Sequence, residues 1–197
     1  HKPKKMARVY KKISKDKSVG VYMPGRDFVD HVTHVDPVTG VVVVDIEALK
    51  GRKAYVRLTC AFKYGHEEED VMGIAFRREL FLVTRQVYPP LQDKEQTTHT
   101  HMQQRLINKL GQNAYGFFFE LPDNLPCSVG LQPGPNDAGK QCCVEFEIRA
   151  FAAEDPKEKV KKRSTVKLII RKIQYAPEVE GPPPSLDTTK SGVTLQA

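Results

Sequence analysis

Apolar and polar residues alternate over much of the chain. In residues 55–63, Val56, Leu58, Cys60 and Phe62 fall on one side and Arg57, Thr59 and Lys63 on the other. Residues 144–151 repeat the pattern, with Val144, Phe146, Ile148 and Ala150 opposed to Glu145, Glu147 and Arg149. A two-residue period puts successive side chains on opposite faces of a strand, so each segment predicts a strand with one buried face. Residues 9–13, 41–46, 74–88, 114–120 and 165–174 read as further strands, punctuated by turn signals at Pro24-Gly25, Thr39-Gly40, Pro89-Pro90 and Gly134-Pro135. Together they predict an all-β fold, an antiparallel β-sandwich.

One segment breaks the period. In residues 100–110, Met102, Leu106 and Leu110 recur at every fourth position with Ile107 beside them, a helical stripe. Thr100 is placed as N-cap, Gln103 as its partner in a capping box, and Gly111 as the terminator. A helix this short is marginal alone, so the stripe Met102, Leu106, Leu110 must dock on the sandwich.

A length of 197 residues with 40% hydrophobic content supports one sizeable domain. No run of about 18 apolar residues could span a bilayer, and no charged-then-apolar leader precedes a small-residue cleavage site. The adjacent Cys142 and Cys143 could join only under strain, and neither they nor Cys60 and Cys127 have zinc-knuckle spacing. Reduced thiols in a cytoplasmic protein are the expectation.

The formal net charge is +7 and the pI about 9.2, and the excess is concentrated in two segments. Residues 2–17 carry Lys2, Lys4, Lys5, Arg8, Lys11, Lys12, Lys15 and Lys17 against Asp16; residues 157–172 carry Lys157, Lys159, Lys161, Lys162, Arg163, Lys167, Arg171 and Lys172 against Glu158. Brought together, they would make a surface that attracts phosphates. Left apart, they are a solvated tail and a basic hairpin. Lys11 and Lys12 point to opposite faces if their segment is a strand, so a phosphorylated peptide pairing along that edge meets at least one ammonium. Lysines that only guard an exposed edge are the plainer alternative. Arg171, between Ile169 and Ile173 on one strand face, is expected to be partly buried and to need a carboxylate, for which Asp27 is the candidate.

Several long motifs in one order carry a resemblance: VYKKISKDKSVGVYMPGRDFVDHV from Val9, DPVTGVVVVD from Asp36, LTCAFKYG from Leu58, DVMGIAFRREL from Asp70, LPCSVGLQPGPNDAGK from Leu125 and VKLIIRKIQYAP from Val166. The chain resembles the amino-terminal domain of the arrestins. The resemblance implies an immunoglobulin-like sandwich at 9–177, a basic extension at 1–8 and a hinge-like tail at 178–197, with the carboxy-terminal domain expected to be absent. It implies phosphate contacts from Lys11, Lys12, Arg26, Lys109, Lys167 and Lys172, and a polar switch of Asp27 and Arg171. It also implies a loop, Glu69, Asp70, Val71, Met72, Gly73 and Ile74, that enters an active seven-helix receptor. The partner implied is a phosphorylated, active G-protein-coupled receptor, with a visual opsin as one candidate, reached at the membrane from the cytoplasm. Signal termination is the implied role, and inositol phosphates and self-association are further candidates. Pro24-Gly25 stands where a glycine-lysine pair is common in the family, and Lys167 where arginine is common, which costs bidentate phosphate contact there.

Catalytic signatures are missing from the sequence. His99 and His101 diverge around a helix and have no evident third ligand, and the run Glu67 to Asp70 lacks calcium-loop spacing. No Gly-rich phosphate loop or nucleophile elbow occurs, so no enzyme activity and no cofactor are expected. A nonspecific polyanion binder, taking inositol phosphate, heparin-like polymer or nucleic acid, is the competing reading; no RNA-binding motif gathers the aromatic residues.

Overall fold

The computed structural model describes residues 9–65, 76–91, 100–128, 130–131 and 141–174, and in them the alternation becomes strands. In chain order these are β1 (Tyr10–Ile13), β2 (Val19–Met23), β3 (Asp27–Asp30), β4 (Val38–Val44), helix α1 (Ile46–Leu49), β5 (Lys53–Gly65), β6 (Phe76–Tyr88), helix α2 (His101–Leu110), β7 (Ala114–Phe119), β8 (Gly130–Leu131), β9 (Gln141–Ala153) and β10 (Thr165–Gln174). One sheet has the order β1-β2-β4-β7; the other runs β3-β10-β9-β5-β6, with β8 also on β9. Among the described residues pairing is antiparallel except between β3 and β10, which run parallel.

The faces foreseen as apolar meet between the sheets. Val56, Leu58 and Cys60 of β5, Phe146, Ile148 and Ala150 of β9, and Val166, Leu168 and Ile170 of β10 pack on Val21, Val42 and Phe119 of the smaller sheet. Phe28 meets Phe146 edge-on at 5.3 Å between centroids. Each fully buried side chain of this kind contributes about 1.5–3 kcal/mol, so the core outweighs any single polar contact.

The strand expected at 41–46 is instead β4, ending at Val44. The Asp45 side chain accepts from the Glu47 and Ala48 N–H groups, which caps α1 and carries Ile46 out of the sheet. The capping box of α2 is present: Thr100 N–H donates to Gln103 Oε1 at 2.9 Å, and Gln103 N–H to Thr100 Oγ1 at 3.2 Å. Gly111, at φ 92°, ends the helix by donating to the Ile107 carbonyl.

The docking of α2 differs from the expected stripe. Leu106, Ile107 and Leu110 pack over Val41 and Ala114 on the outer face of β4 and β7, but Met102 is only half-buried and lies outside that cluster. Gln103 takes the central place, buried, with Nε2 donating to the carbonyls of Gly40 at 3.0 Å and Phe117 at 2.6 Å. Periodicity sees only apolar residues, and here a polar one anchors the helix because two sheet carbonyls receive it.

Candidate functional site

Asp16 draws the ends of the described chain together. Its Oδ1 accepts from Ser14 Oγ at 2.8 Å, Ser18 N–H at 2.9 Å and Ser18 Oγ at 2.6 Å. Its Oδ2 accepts from Ser164 Oγ, and Arg52 Nη2 stands 3.5 Å away. Arg52 also donates from Nη1 to Ser164 Oγ at 2.8 Å, and the Asp16 N–H donates to the Arg163 carbonyl at 2.9 Å. Ser14, Ser18 and Ser164 are all buried. Burial pushes the Asp16 carboxyl up, but the hydrogen bonds from Ser164, Ser18 and Ser14 outweigh it and hold the group far below the usual carboxylate range. The clasp joins the turn after β1 to the turn before β10, so the two basic segments meet at this end of the sandwich. Sequence reasoning counted Asp16 as the lone anion in a basic run; the serines two residues to either side were the available signal.

Beyond the clasp, β1 lies at the edge of its sheet, and among the described residues only β2 is hydrogen-bonded to it. Lys11 and Lys12 are exposed on its opposite faces. Lys11 Nζ sits 5.4 Å from the Tyr22 ring centroid, and Tyr22 packs on the cluster that holds Ile107 and Leu110 of α2. This brings the helix end bearing the exposed Lys109 to the same outer face. Tyr10, the first residue of β1, lies under the Arg26 guanidinium at 5.4 Å, and Arg26 Nε donates to the Ile169 carbonyl of β10 at 2.9 Å. The β1 edge and the start of β3 therefore form one cationic corner.

Asp27 and Arg171 stand opposite each other in the β3–β10 register. Arg171 Nε and Nη2 donate to the two Asp27 oxygens at 2.9 and 3.0 Å, a bidentate pair that raises the guanidinium pKa. The expected partial burial of Arg171 is not found: its side chain is 65% exposed, and that of Asp27 43%. Strand parity is the reason, since Val166, Leu168 and Ile170 turn inward and Arg171 outward.

The same parity buries the next residue. Lys172 is 1% exposed, with Nζ donating to the Leu125 carbonyl at 2.6 Å and lying 3.4 Å from Asp30 Oδ2. Its ammonium does not reach the surface, so it leaves the set of phosphate ligands and becomes a structural cation. Lys167 is exposed on the outer face of the larger sheet, 3.8 Å from the buried Glu147 carboxylate, which also takes Arg149 at 2.9 Å. Its charge is shared there with that carboxylate. The loop Glu69, Asp70, Val71, Met72, Gly73 and Ile74 lies outside the described residues.

The 157–163 segment contributes to a cleft bounded by Lys50, Arg52, Lys161, Lys162 and Arg163, with Asp16 and Glu154 as its acidic members. Cys60 and Cys127 are free thiols, and burial pushes that of Cys60 up to about 11, which leaves it protonated and inert at neutral pH. Among the described residues no helix is long and apolar enough to cross a membrane.

Comparison with known proteins agrees with this architecture. Residues 12–176 match the family described as Arrestin (or S-antigen), N-terminal domain. The chain is 55% identical over 184 residues to arrestin red cell isoform 1 of Oncorhynchus mykiss, covering 93% of this chain and 45% of that protein. It is 56% identical over 183 residues to beta-arrestin-2 of Rattus norvegicus, covering 93% and 44%. For beta-arrestin-2 of Homo sapiens the identity is 55% over 183 residues, with the same shares. The chain thus spans less than half the length of the curated relatives it matches.

Proposed function

Since the chain belongs to the arrestin family, we propose that it reads phosphorylated tails of active seven-helix receptors and contributes to ending their signal. The open edge of β1, with Lys11 and Lys12 exposed beside Arg26 and Arg171, carries this reading. An extended peptide adds to that edge through main-chain hydrogen bonds. Its phosphates, each with about −1.5 to −2 charge, meet the ammonium and guanidinium groups. A hydrogen bond to a charged group contributes roughly 1.5–3 kcal/mol, so two or three well-spaced phosphates decide binding.

Lys109 extends the surface from the end of α2. Arg171 has the second role. Its guanidinium is exposed yet held by Asp27, so a phosphate competes with the carboxylate for the same donors and opens the pair without having to enter the core. The Asp27–Arg171 pair is then a switch. The loop at 69–74 would enter the receptor, and Met72→Asp would abolish binding to active receptor while sparing free phosphopeptide. Residues 9–177 act as the amino-terminal sandwich, between an extension at 1–8 and a hinge-like tail at 178–197.

The test is a set of receptor-tail peptides with equal phosphate number and permuted spacing, measured against the chain and its Lys11→Gln, Lys12→Gln variant. Affinity that depends on spacing, and a loss of at least about tenfold in the double variant, is the expected outcome. Equal affinity for every spacing would overturn the reading in favour of a nonspecific cationic surface. The cleft at Lys50, Lys161, Lys162 and Arg163 favours a second, compatible activity, the binding of inositol phosphates; Lys161→Gln with Lys162→Gln would remove it and leave phosphopeptide binding intact.

A further inference from the structure

The turn that follows β3 gathers three metal-ligating side chains that the phosphate reading does not use. The bridge between Asp30 and Val35 closes the loop, and His31 N–H donates to the His34 carbonyl at 2.8 Å. This folds His34 back over His31, with ring centroids 4.5 Å apart and planes inclined by 20°. Asp36 is anchored from the other side: its Oδ2 accepts from the Val29 N–H at 3.2 Å, and its Oδ1 lies 2.9 Å from His31 Nε2. One ligand-capable atom from each of His31, His34 and Asp36 lies within 4.8 Å of the others.

We propose that His31, His34 and Asp36 form a zinc site. Zinc takes histidine nitrogen and carboxylate oxygen at about 2.0–2.2 Å in tetrahedral geometry, which sets donor atoms about 3.3 Å apart. The donor atoms lie within 4.8 Å of one another, so binding has to draw them closer by up to about 1.5 Å. Three protein ligands leave a fourth position for water, the arrangement of an open site. Two imidazoles disfavour calcium and magnesium, which take oxygen, and suit the later divalent transition metals. Asp36 is the fixed arm, because a backbone N–H holds its second oxygen; the carboxylate now bonded to His31 would shift that contact to the metal.

A second observation points the same way. Val32, between the two histidines, has φ 73°, a left-handed conformation that a β-branched residue rarely adopts. Backbone strain of this kind persists where surroundings over-determine it and concentrates at ligand sites. Here it turns the chain sharply enough to set His34 over His31. The site sits at the end of edge strand β3, whose first residue, Asp27, holds Arg171, so a bound metal would fasten the strand that carries the switch.

The experiment titrates Zn2+ against a chromophoric chelator, using the full folded chain with its accessible thiols alkylated so that exposed cysteine cannot bind the metal. Saturable uptake of one equivalent is expected, weakened at least about tenfold by His34→Ala and by Asp36→Asn and unchanged by His101→Ala. Because Asp36 also holds backbone, His34→Gln and Co2+ spectra of the unmutated chain provide independent readings: visible bands of nitrogen–oxygen coordination that disappear in His34→Gln. The proposal is overturned if Zn2+ uptake is absent, or if the His34 variants bind it as tightly as the parent chain.

Discussion

Replacing Asp16 with asparagine tests the clasp that brings the basic segments together. The substitution keeps the shape and one acceptor oxygen. It turns an amide donor toward Ser164 Oγ, a hydroxyl that already accepts from Arg52 Nη1 at 2.8 Å. Oriented to keep the Ser14 and Ser18 bonds, the new carboxamide loses the Ser164 bond and the Arg52 attraction, and the remaining bonds lose their charge assistance. The loss of one hydrogen bond to a charged group is worth about 1.5–3 kcal/mol, which sets the expected destabilisation at neutral pH. The sign of its pH dependence follows from the depressed carboxyl. In the unfolded chain Asp16 takes up a proton near 3.8, whereas in the folded chain it resists protonation far below that. Its contribution is therefore fully present above that unfolded value and is lost as the pH falls below it, by up to about 1.4 kcal/mol per pH unit. Urea unfolding of both chains at pH 7 and pH 3 reads this directly. The gap between parent and Asp16→Asn should be wide at pH 7 and narrower at pH 3. Equal gaps at both values, or no gap at pH 7, would refute the role of the charge.

Four further substitutions separate structure from surface. Lys172→Met removes a buried ammonium from the Leu125 carbonyl and should cost about 1.5–3 kcal/mol in urea unfolding, whereas Arg171→Met, one residue back, should leave the midpoint nearly unchanged because its pair is solvated. Gln103→Leu strips the donors from the Gly40 and Phe117 carbonyls and should lower stability by about 1–3 kcal/mol, with loss of helical ellipticity as α2 lifts; an unchanged melt would show that the apolar contacts alone hold the helix. Gly40→Ala places a Cβ 2.5 Å from Phe117 Cζ and 2.9 Å from the Tyr22 carbonyl, so overpacking should cost about 1–3 kcal/mol, read as a drop in the thermal midpoint.

Much of the fold was legible because strand alternation and helix capping are local. The predicted strand at 165–174 coincides with β10, and Thr100, Gln103 and Gly111 mark the ends of α2 as their side chains and φ preferences dictate. Local signals failed where a polar group did the work of an apolar one. Gln103 anchors the docked helix because it satisfies two carbonyls, and Asp45 ended β4 before Ile46 by capping a helix too short for periodicity to register. In the candidate site, Lys11, Lys12 and the Asp27–Arg171 partnership could be named from sequence, but the flanking isoleucines drew the expectation of burial to Arg171 when parity with Leu168 and Ile170 puts it on Lys172.

The sequence by itself determined which segments become strands, which faces are apolar, and that cations crowd two distant stretches. Only the tertiary structure decided that Ser164 reaches Asp16 across 148 residues, that the β3–β10 register makes the Asp27–Arg171 pair bidentate, and that the Leu125 carbonyl receives the buried Lys172 ammonium. The first set follows from torsional periods that each residue shares with its neighbours. The second depends on which strands pair and in what register, set when the whole core closes.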